Sequence, residues 1–150
     1  MTTYWLKINL ESDAAFGRGD GVPGVVDAEV QHDEYGLPFM SGKTLKGLLT
    51  ASCAEILDSL ILAGNQMGWQ APASRLFGSP GHKTDDMGNL HVSDARLPEY
   101  VRAQIMADQT LSRQKVLESL TSIRTHTAID PETGAPKDHS LRSMRVILRI

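Results

Sequence analysis

Cysteine and the usual catalytic motifs are nearly absent from this sequence. Cys53 is the single cysteine among 150 residues, the five histidines are not spaced as zinc ligands, and no GxSxG motif occurs. An internal disulfide and a CxxC metal site are therefore excluded. The position of Cys53 on the apolar side of a predicted helix is typical of a reduced core thiol.

Long apolar runs are missing as well. No stretch approaches the roughly 18 consecutive apolar residues of a membrane-spanning helix. The N-terminus also lacks the basic-then-apolar order of a signal peptide. We therefore expect a cytoplasmic protein that does not bind membranes. With 41% hydrophobic and 22% charged residues, the chain can bury a core, and residues 1–150 are predicted to form one domain.

Positive charge is scarce overall but unevenly distributed. The net charge of the chain is −3, with −6 in residues 1–112 and +3 in residues 113–150. Binding of nucleic acid by overall attraction is therefore disfavoured. Any such surface must be local and must use Lys43, Lys46 and the basic C-terminal part.

The strongest helix signal begins at Ser41, which is a good N-cap residue. Apolar residues follow at positions 45, 48, 49, 53, 56, 57, 60 and 61, a spacing that predicts a helix to Leu62 with one buried face. Lys43 and Gly47 fall on the opposite side, and Lys46 lies at its border.

This outer helix face predicts an anion site. Glycine inside a helix costs about 0.8–1 kcal/mol relative to alanine, so a ligand must approach the backbone at Gly47. Free N–H groups at the helix start and the two lysines favour a phosphate. Two alternatives stay open: a nucleotide-binding P-loop built on Gly36 and Gly42, whose spacing is one residue too long, and an ordinary capped helix with solvated lysines.

Alternation, periodicity and turn residues predict the remaining elements. Strands are expected at Thr3–Leu10, Asn89–Ala95, Thr121–Ala128 and Leu141–Ile150, a hairpin joins Asp27–Val30 to Pro38–Met40, and a short turn covers Ala73–Gly81. A helical region from Pro98 to Leu120 breaks near residues 108–112, and Asp130–Gly134 forms a turn.

Three carboxylates fall near the predicted phosphate site: Asp20, Asp27 and Asp33. A carboxylate beside a polyanion is costly unless it holds a metal ion or handles a proton, so one of them is a candidate for phosphodiester cleavage. Each one also fits a loop or turn position.

Four sequence blocks occur in an order that resembles a known family. They are Phe16-Gly-Arg-Gly with Asp27 and Asp33-x-x-Gly36-x-Pro38-Phe-x-x-Gly42-x-x-Leu45-Lys46-Gly47; Leu76-Phe77-Gly78; Val92-x-Asp94-Ala95; and Thr127-Ala128-Ile129-Asp130-x-x-Thr133-Gly134-Ala135. Together they resemble the RAMP superfamily and, within it, the backbone (Cas7-type) subunit of type III CRISPR effector complexes.

The resemblance implies an α+β fold. Its ferredoxin-like (RRM-type) core carries inserted loops and a protruding thumb hairpin at about residues 121–140. Members of the family usually continue beyond the thumb, so the resemblance implies either a subunit truncated at its C-terminus or a sheet completed by another chain.

The resemblance also implies partners: a CRISPR guide RNA, a complementary target RNA and other RAMP subunits of a multi-subunit complex. The residues expected to contact RNA are the loop residues Gly17, Arg18 and Gly19, the helix residues Ser41, Lys43, Lys46 and Gly47, and the thumb residues Arg124, Thr125, Thr127 and Ile129.

For activity, the resemblance implies cleavage of target RNA by its own 2′-hydroxyl, with Mg²⁺ or another divalent metal as cofactor. Asp27 takes the catalytic position and is a possible Mg²⁺ contact, with Asp20 as the fallback. A non-catalytic scaffold subunit that only grips the guide RNA is the alternative.

Overall fold

The computed structural model describes residues 2–64, 68–78, 88–137 and 140–149. In these residues the protein is a mixed α/β structure with four helices and one two-stranded antiparallel sheet. The elements are α1 (Gly42–Leu62), α2 (Gln70–Phe77), α3 (Glu99–Ala107), α4 (Arg113–Leu120), β1 (Thr121–His126) and β2 (Arg142–Ile147).

The chain divides into two compact units. The first contains Met1–Phe39 and Arg96–Ile150, and the second contains Met40–Ala95. The sheet, α3 and α4 belong to the first unit, whereas α1 and α2 belong to the second. The assignment of residues 1–150 to one domain stays a prediction.

The sheet of the first unit is extended by short pairings beside β2. Thr121 of β1 pairs with Ile147 and His126 with Arg142, which sets the antiparallel register. On β2, Ala28 forms a parallel bridge to Met144 and Ala14 an antiparallel bridge to Ile147. Residues 16–18 then pair with residues 29–31. The ferredoxin-like arrangement of these pieces stays a prediction.

A buried ion pair lies in the middle of this pairing. The Arg145 guanidinium approaches the Glu29 carboxylate at 2.9 Å, and the two side chains are 5% and 2% exposed. Arg145 also donates to the Thr121 hydroxyl at 3.2 Å, and Glu29 accepts the backbone N–H of Val30 at 2.8 Å. Because both charges are buried, each needs the other to offset the loss of its hydration.

The apolar core of the first unit is small and lies next to this pair. Val30, Leu117 and Ile147 form its buried cluster, and Leu10 and Phe16 pack against it. The core therefore joins α4, β2 and the segment around residue 30.

The helical prediction for residues 98–120 is confirmed, including its break. Pro98 occupies the N-cap of α3, and Ser112 caps α4 by accepting the backbone N–H of Lys115. The break follows from the second cap, because Ser112 stands in an extended conformation that ends any continuous helix.

The start of α1 is confirmed, but its predicted buried face is wrong. The Ser41 hydroxyl accepts the backbone N–H of Thr44, as expected of an N-cap. Gly42 is nevertheless the single buried residue of the helix, and Ile56 and Leu62 are 61% and 88% exposed. Within the described part of the second unit, the eight-residue α2 is the only other helix, so little apolar surface is available to cover α1.

The predicted strand at Thr3–Leu10 does not form. These residues lie outside any strand, and Trp5 is 93% exposed. The positions beside β2 that a further strand would need are taken by Ala14 and Ala28. Only Leu10, at the end of the segment, reaches the core.

Two predictions in the second unit are also wrong. Residues 70–77 form α2 and not a turn, with Pro72 in the first helical turn, where proline needs no hydrogen-bond acceptor; residues 79–81 lie outside the described residues. Residues 89–95 form a single bridge, from Ala95 to Met40. Asn89 and Leu90 donate to α2, and Asp94 accepts from the start of α1, so within the described residues no single strand pairs with the whole segment.

The turn and strands of the last third are confirmed in outline. The Gly134 N–H donates to the Asp130 carbonyl, and Ile129 bridges Pro136 in a short hairpin. β1 and β2 are two to four residues shorter than predicted, and the prediction for residue 150 lies outside the described residues.

Asp13 fastens the N-terminal segment to the residues that follow β2 and to β1. Its carboxylate accepts the Arg149 backbone N–H at 3.0 Å and forms an ion pair with Arg124. These contacts, above all the one from the Arg149 backbone, hold the pKa of Asp13 below its ordinary value.

Breaking the buried ion pair on one side is expected to destabilise the protein strongly. Glu29→Leu leaves the Arg145 charge buried without a partner, which costs about 3–5 kcal/mol in the free energy of unfolding. The double variant Glu29→Leu/Arg145→Met removes both charges and is expected to recover most of that loss. Urea unfolding followed by circular dichroism measures both, and equal losses in the two variants would contradict the expected coupling.

Asp13 is expected to make stability depend on pH. Because its pKa is lowered in the folded state, its contribution is complete above the unfolded pKa of about 3.9 and is lost as the pH falls through the lower folded value. Asp13→Asn is therefore expected to be less stable than wild type at pH 7. The two proteins are expected to be equally stable once the pH is below the folded-state pKa of Asp13. Urea midpoints across pH measure this, with Asp58→Asn as the control; a difference independent of pH would refute it.

Candidate nucleic-acid interface

The candidate catalytic residue Asp27 is held by one residue of β2. Its Oδ2 accepts the backbone N–H of Ser143 at 2.7 Å and the Ser143 hydroxyl at 3.1 Å. The Asp27 N–H lies 3.0 Å from the Ser143 carbonyl and 3.2 Å from its hydroxyl. Among the described residues, no hydrogen bond engages Oδ1 of Asp27, so one carboxylate oxygen remains open.

Asp27 faces an open pocket of about 250 Å³. The other lining residues are Ser143 and the run Val22-Pro23-Gly24-Val25-Val26, which contains no ionisable side chain. Val22 and Val26 exchange two backbone hydrogen bonds and close this run into a tight loop. Among the described residues that line the pocket, Asp27 is thus the only ionisable one.

Ser143 also stabilises the ionised form of Asp27. The backbone N–H of Ser143, followed by its hydroxyl and then by the charge of Arg142, lowers the pKa of Asp27. The carboxylate is therefore ionised at neutral pH. An anion with a lowered pKa is a weak proton acceptor, but it suits a divalent cation or the hydrogen of a ribose hydroxyl.

The fit to Mg²⁺ rests on Asp27 alone. Within the described ranges, no group of three or more His, Cys, Asp or Glu side chains is arranged to hold a metal ion. Mg²⁺ commonly uses one or two carboxylates and completes its shell with substrate phosphates and water. The open oxygen of Asp27 fits that mode and does not fit an all-protein metal cage.

Asp20, the fallback residue, is paired with Arg18 of the same loop. The Arg18 guanidinium contacts both carboxylate oxygens, at 2.6 and 3.2 Å, and this pairing lowers the pKa of Asp20. Gly19 between them has a φ of +91°, a conformation that glycine adopts without strain. Arg18 and Gly17 therefore lie on an exposed loop in which the cation already has an anionic partner.

Asp33 is occupied as a turn residue. Its Oδ1 accepts the backbone N–H groups of Tyr35 and Leu37, both at 3.0 Å. These bonds close the turn that leads to residue 38. Of the three candidate carboxylates, Asp33 is thus the one committed to local structure.

The N-terminus of α1 differs from the predicted open phosphate site. The Gly42 N–H donates to the Asp94 carboxylate at 3.0 Å, and the Thr44 N–H donates to Ser41. A Cβ at Gly42 would collide with the Val92 carbonyl. A carboxylate of the protein itself therefore occupies the place where we expected a ligand anion.

The lysine-bearing face of α1 fits the prediction better. Lys43 is exposed and Lys46 half-exposed. Apart from its chain neighbours and the adjoining backbone of α1, no described atom lies within 4 Å of the position that a Cβ at Gly47 would occupy. Packing within the described residues therefore does not require this glycine, and the space beside it is open to a ligand.

The P-loop alternative loses its basis, because other contacts explain its two glycines. A Cβ at Gly36 would collide with the Arg113 carbonyl, and Gly36 has a φ of +83° in a tight turn. Gly42 packs against residue 92, as described above. Neither glycine is left to cradle a nucleotide phosphate.

The thumb residues are exposed, but one of them is already paired. Arg124 contacts Asp13, whereas Thr125 and Thr127 lie on the surface. Ile129 is 68% exposed beside the turn. Asp130 stiffens that turn by accepting the backbone N–H groups of Glu132 and Thr133. An exposed apolar side chain on a braced hairpin suits contact with a base or a ribose.

Sequence reasoning missed Ser143, Asp94 and Asp13, the partners of the candidate residues. Ser143 and Asp94 lie 116 and 52 positions from the atoms that they contact. Two signals were available: Asp94 lies in one of the four motif blocks, and Ser143 is a small polar residue in an otherwise apolar and basic strand.

None of the helices in the described residues is both long and apolar enough to cross a membrane.

Comparison with known proteins agrees with the fold described above. No protein of curated function matches the sequence. One similar solved structure is the cryo-EM structure of type III-B Cmr-beta bound to cognate target RNA. The match has a TM-score of 0.59 at 9% identity and covers 92% of this chain and 77% of that one.

At 9% identity the structural match establishes a shared fold and no more. The family assignment rests on the sequence. The model of the RAMP superfamily matches residues 7–149. The four motif blocks lie within this range. The protein therefore belongs to the RAMP superfamily.

Proposed function

We propose that this protein is a backbone (Cas7-type) subunit of a type III CRISPR effector complex. In that complex it binds guide RNA and cleaves complementary target RNA. The observation that carries the proposal is the exposed Asp27 carboxylate, which is ionised, held on one oxygen and open on the other, at the rim of a pocket. The similarity to type III-B Cmr-beta bound to target RNA supports the choice of complex.

Guide binding uses local positive charge and close backbone approach. Lys43 and Lys46 neutralise phosphates, and Gly47 lets the RNA backbone lie against α1. Gly17, Arg18 and Gly19 offer a second contact loop, on which a phosphate replaces Asp20 as the partner of Arg18. Ser41 and the thumb residues Arg124, Thr125, Thr127 and Ile129 complete the RNA contacts.

Cleavage uses the RNA's own nucleophile. The 2′-oxygen attacks the adjacent phosphorus in line, the bond from phosphorus to the 5′-oxygen breaks, and the 2′-hydroxyl proton passes to solvent while the leaving oxygen gains one. A bound Mg²⁺ supplies charge neutralisation at the phosphate. The Asp27 Oδ1 holds the cation or orients the 2′-hydroxyl.

Base pairing with the guide supplies sequence specificity, so the protein needs only shape and phosphate contacts. The partners are then the guide RNA, the target RNA and neighbouring RAMP subunits, and the complex works in the cytoplasm. A ferredoxin-like core built around β1 and β2 fits this arrangement.

A non-catalytic scaffold is the second candidate function. It is favoured by the contacts between Asp27 and Ser143, which also brace the backbone of residues 27 and 28 against β2. A carboxylate that serves only as a brace has no need to meet RNA. A scaffold subunit would keep every contact with the guide RNA but would not cleave the target RNA.

Replacing Asp27 separates these functions. Asp27→Asn keeps the size of the side chain and removes its charge, so we expect a loss of about 10²-fold or more in target cleavage at this subunit, with RNA affinity unchanged. The reconstituted complex with Mg²⁺ and a guide-complementary RNA is assayed for both. Asp20→Asn is the matched control: loss of cutting in that variant alone would move the catalytic role to Asp20, and unchanged cuts in both would favour the scaffold.

The lysines of α1 are expected to carry the salt dependence of guide binding. Lys43→Ala and Lys46→Ala each remove one phosphate contact, so the slope of log affinity against log salt should fall by about 0.7 per variant. Fluorescence anisotropy with guide RNA at several salt concentrations measures it. Lys115→Ala, on the exposed side of α4, is the charge-matched control, and equal slopes in all three variants would argue against this surface.

A further inference from the structure

We propose that Ser143 is a positioning residue that fixes which oxygen of Asp27 meets the RNA. This inference rests on the proposed cleavage function. It concerns a residue of β2 that lies far from Asp27 in the sequence and in none of the family motif blocks.

The first argument is the number and direction of the contacts. The Ser143 N–H and hydroxyl both donate to Oδ2 of Asp27, at 2.7 and 3.1 Å. The same hydroxyl lies 3.2 Å from the Asp27 N–H and accepts from it. The hydroxyl oxygen accepts from the amide through a lone pair, and its single proton is donated to Oδ2. One residue, through its backbone N–H and its hydroxyl, therefore fixes both the carboxylate and the backbone of Asp27.

The second argument is that a brace would not need the carboxylate. The Ser143 carbonyl accepts the N–H groups of Asp27 and Ala28, at 3.0 and 3.2 Å, and these two bonds already fasten the segment to β2. The contacts with Oδ2 add an asymmetry: this oxygen receives two donors, and none reaches Oδ1 in the described residues. The unoccupied Oδ1 is then the stronger acceptor for an external cation or hydroxyl.

The third argument is that the rest of the sheet fixes the register of this contact. Asp27 and Ser143 are 116 positions apart, and so are Glu29 and Arg145 of the buried ion pair. Both pairs therefore belong to one parallel alignment, which also includes the bridge from Ala28 to Met144. A shift in this alignment would break the ion pair, so Ser143 cannot slide away from Asp27 at low cost.

The test uses two substitutions of the same shape. Ser143→Thr keeps the hydroxyl, and Ser143→Val replaces it with a methyl group; both are β-branched and suited to a strand. In the reconstituted complex we expect Val to lower the target cleavage rate at saturating RNA by about 10-fold to 100-fold and Thr to retain most of it. Target affinity and the melting temperature of the free chain are measured alongside, and we expect Thr and Val to agree in both.

The outcomes separate this inference from the function on which it rests. If Asp27→Asn abolishes cutting while Ser143→Val cuts like wild type, the positioning role of the Ser143 hydroxyl is wrong and the ribonuclease function stands. If Asp27→Asn leaves cutting unchanged, the ribonuclease function fails first. A loss of cutting in Ser143→Val that follows a lower melting temperature, and that Ser143→Thr shares, would show a structural role and overturn the proposal.

Discussion

The buried pair of Glu29 and Arg145 is the constraint on which the first unit depends. Two charges that are nearly inaccessible to water tolerate little displacement, because each would lose its oppositely charged partner. Their contact fixes the segment around residue 28 in parallel alignment with β2, and the bond from Arg145 to Thr121 extends this to the junction of α4 and β1. The alignment that satisfies the ion pair also brings Asp27 beside Ser143, so one interaction determines both the fold and the geometry of the candidate site.

Features determined within a few residues could be predicted from the sequence. The cap at Ser41, the break before Ser112 and the turn after Asp130 are local, because the cap or turn residue contacts backbone groups two to four positions away. The strand at residues 3–10 could not be judged in this way. Its alternation shows that it is able to pair, but whether an edge of β2 is open depends on Ala14 and Ala28. The apolar stripe of α1 likewise indicates which side chains would gain from burial. It does not show whether the second unit contains apolar surface to pack against them.

The same distinction applies to the candidate site. The lysine face beside Gly47 followed from helix geometry and one glycine, and the role of Asp27 came from the family resemblance. The sequence could not show that Asp94 fills the N-terminus of α1 or that Ser143 holds Asp27, since both contacts join residues far apart in the chain. The sequence therefore identifies candidate charges, and the tertiary structure determines which of them are already neutralised.

That neutralisation bears on how an acidic protein could offer the RNA surface that we propose. Arg18 is paired with Asp20, Arg124 with Asp13 and Arg145 with Glu29, whereas no ion pair engages Lys43 or Lys46 in the described part of the chain. A phosphate that binds at one of these three arginines must displace a carboxylate, so the exchange gains little free energy. A phosphate that binds at the lysines displaces only water and counterions. Affinity is then expected to come from α1. The paired arginines are expected to contact RNA only after it has been aligned on the subunit by other contacts.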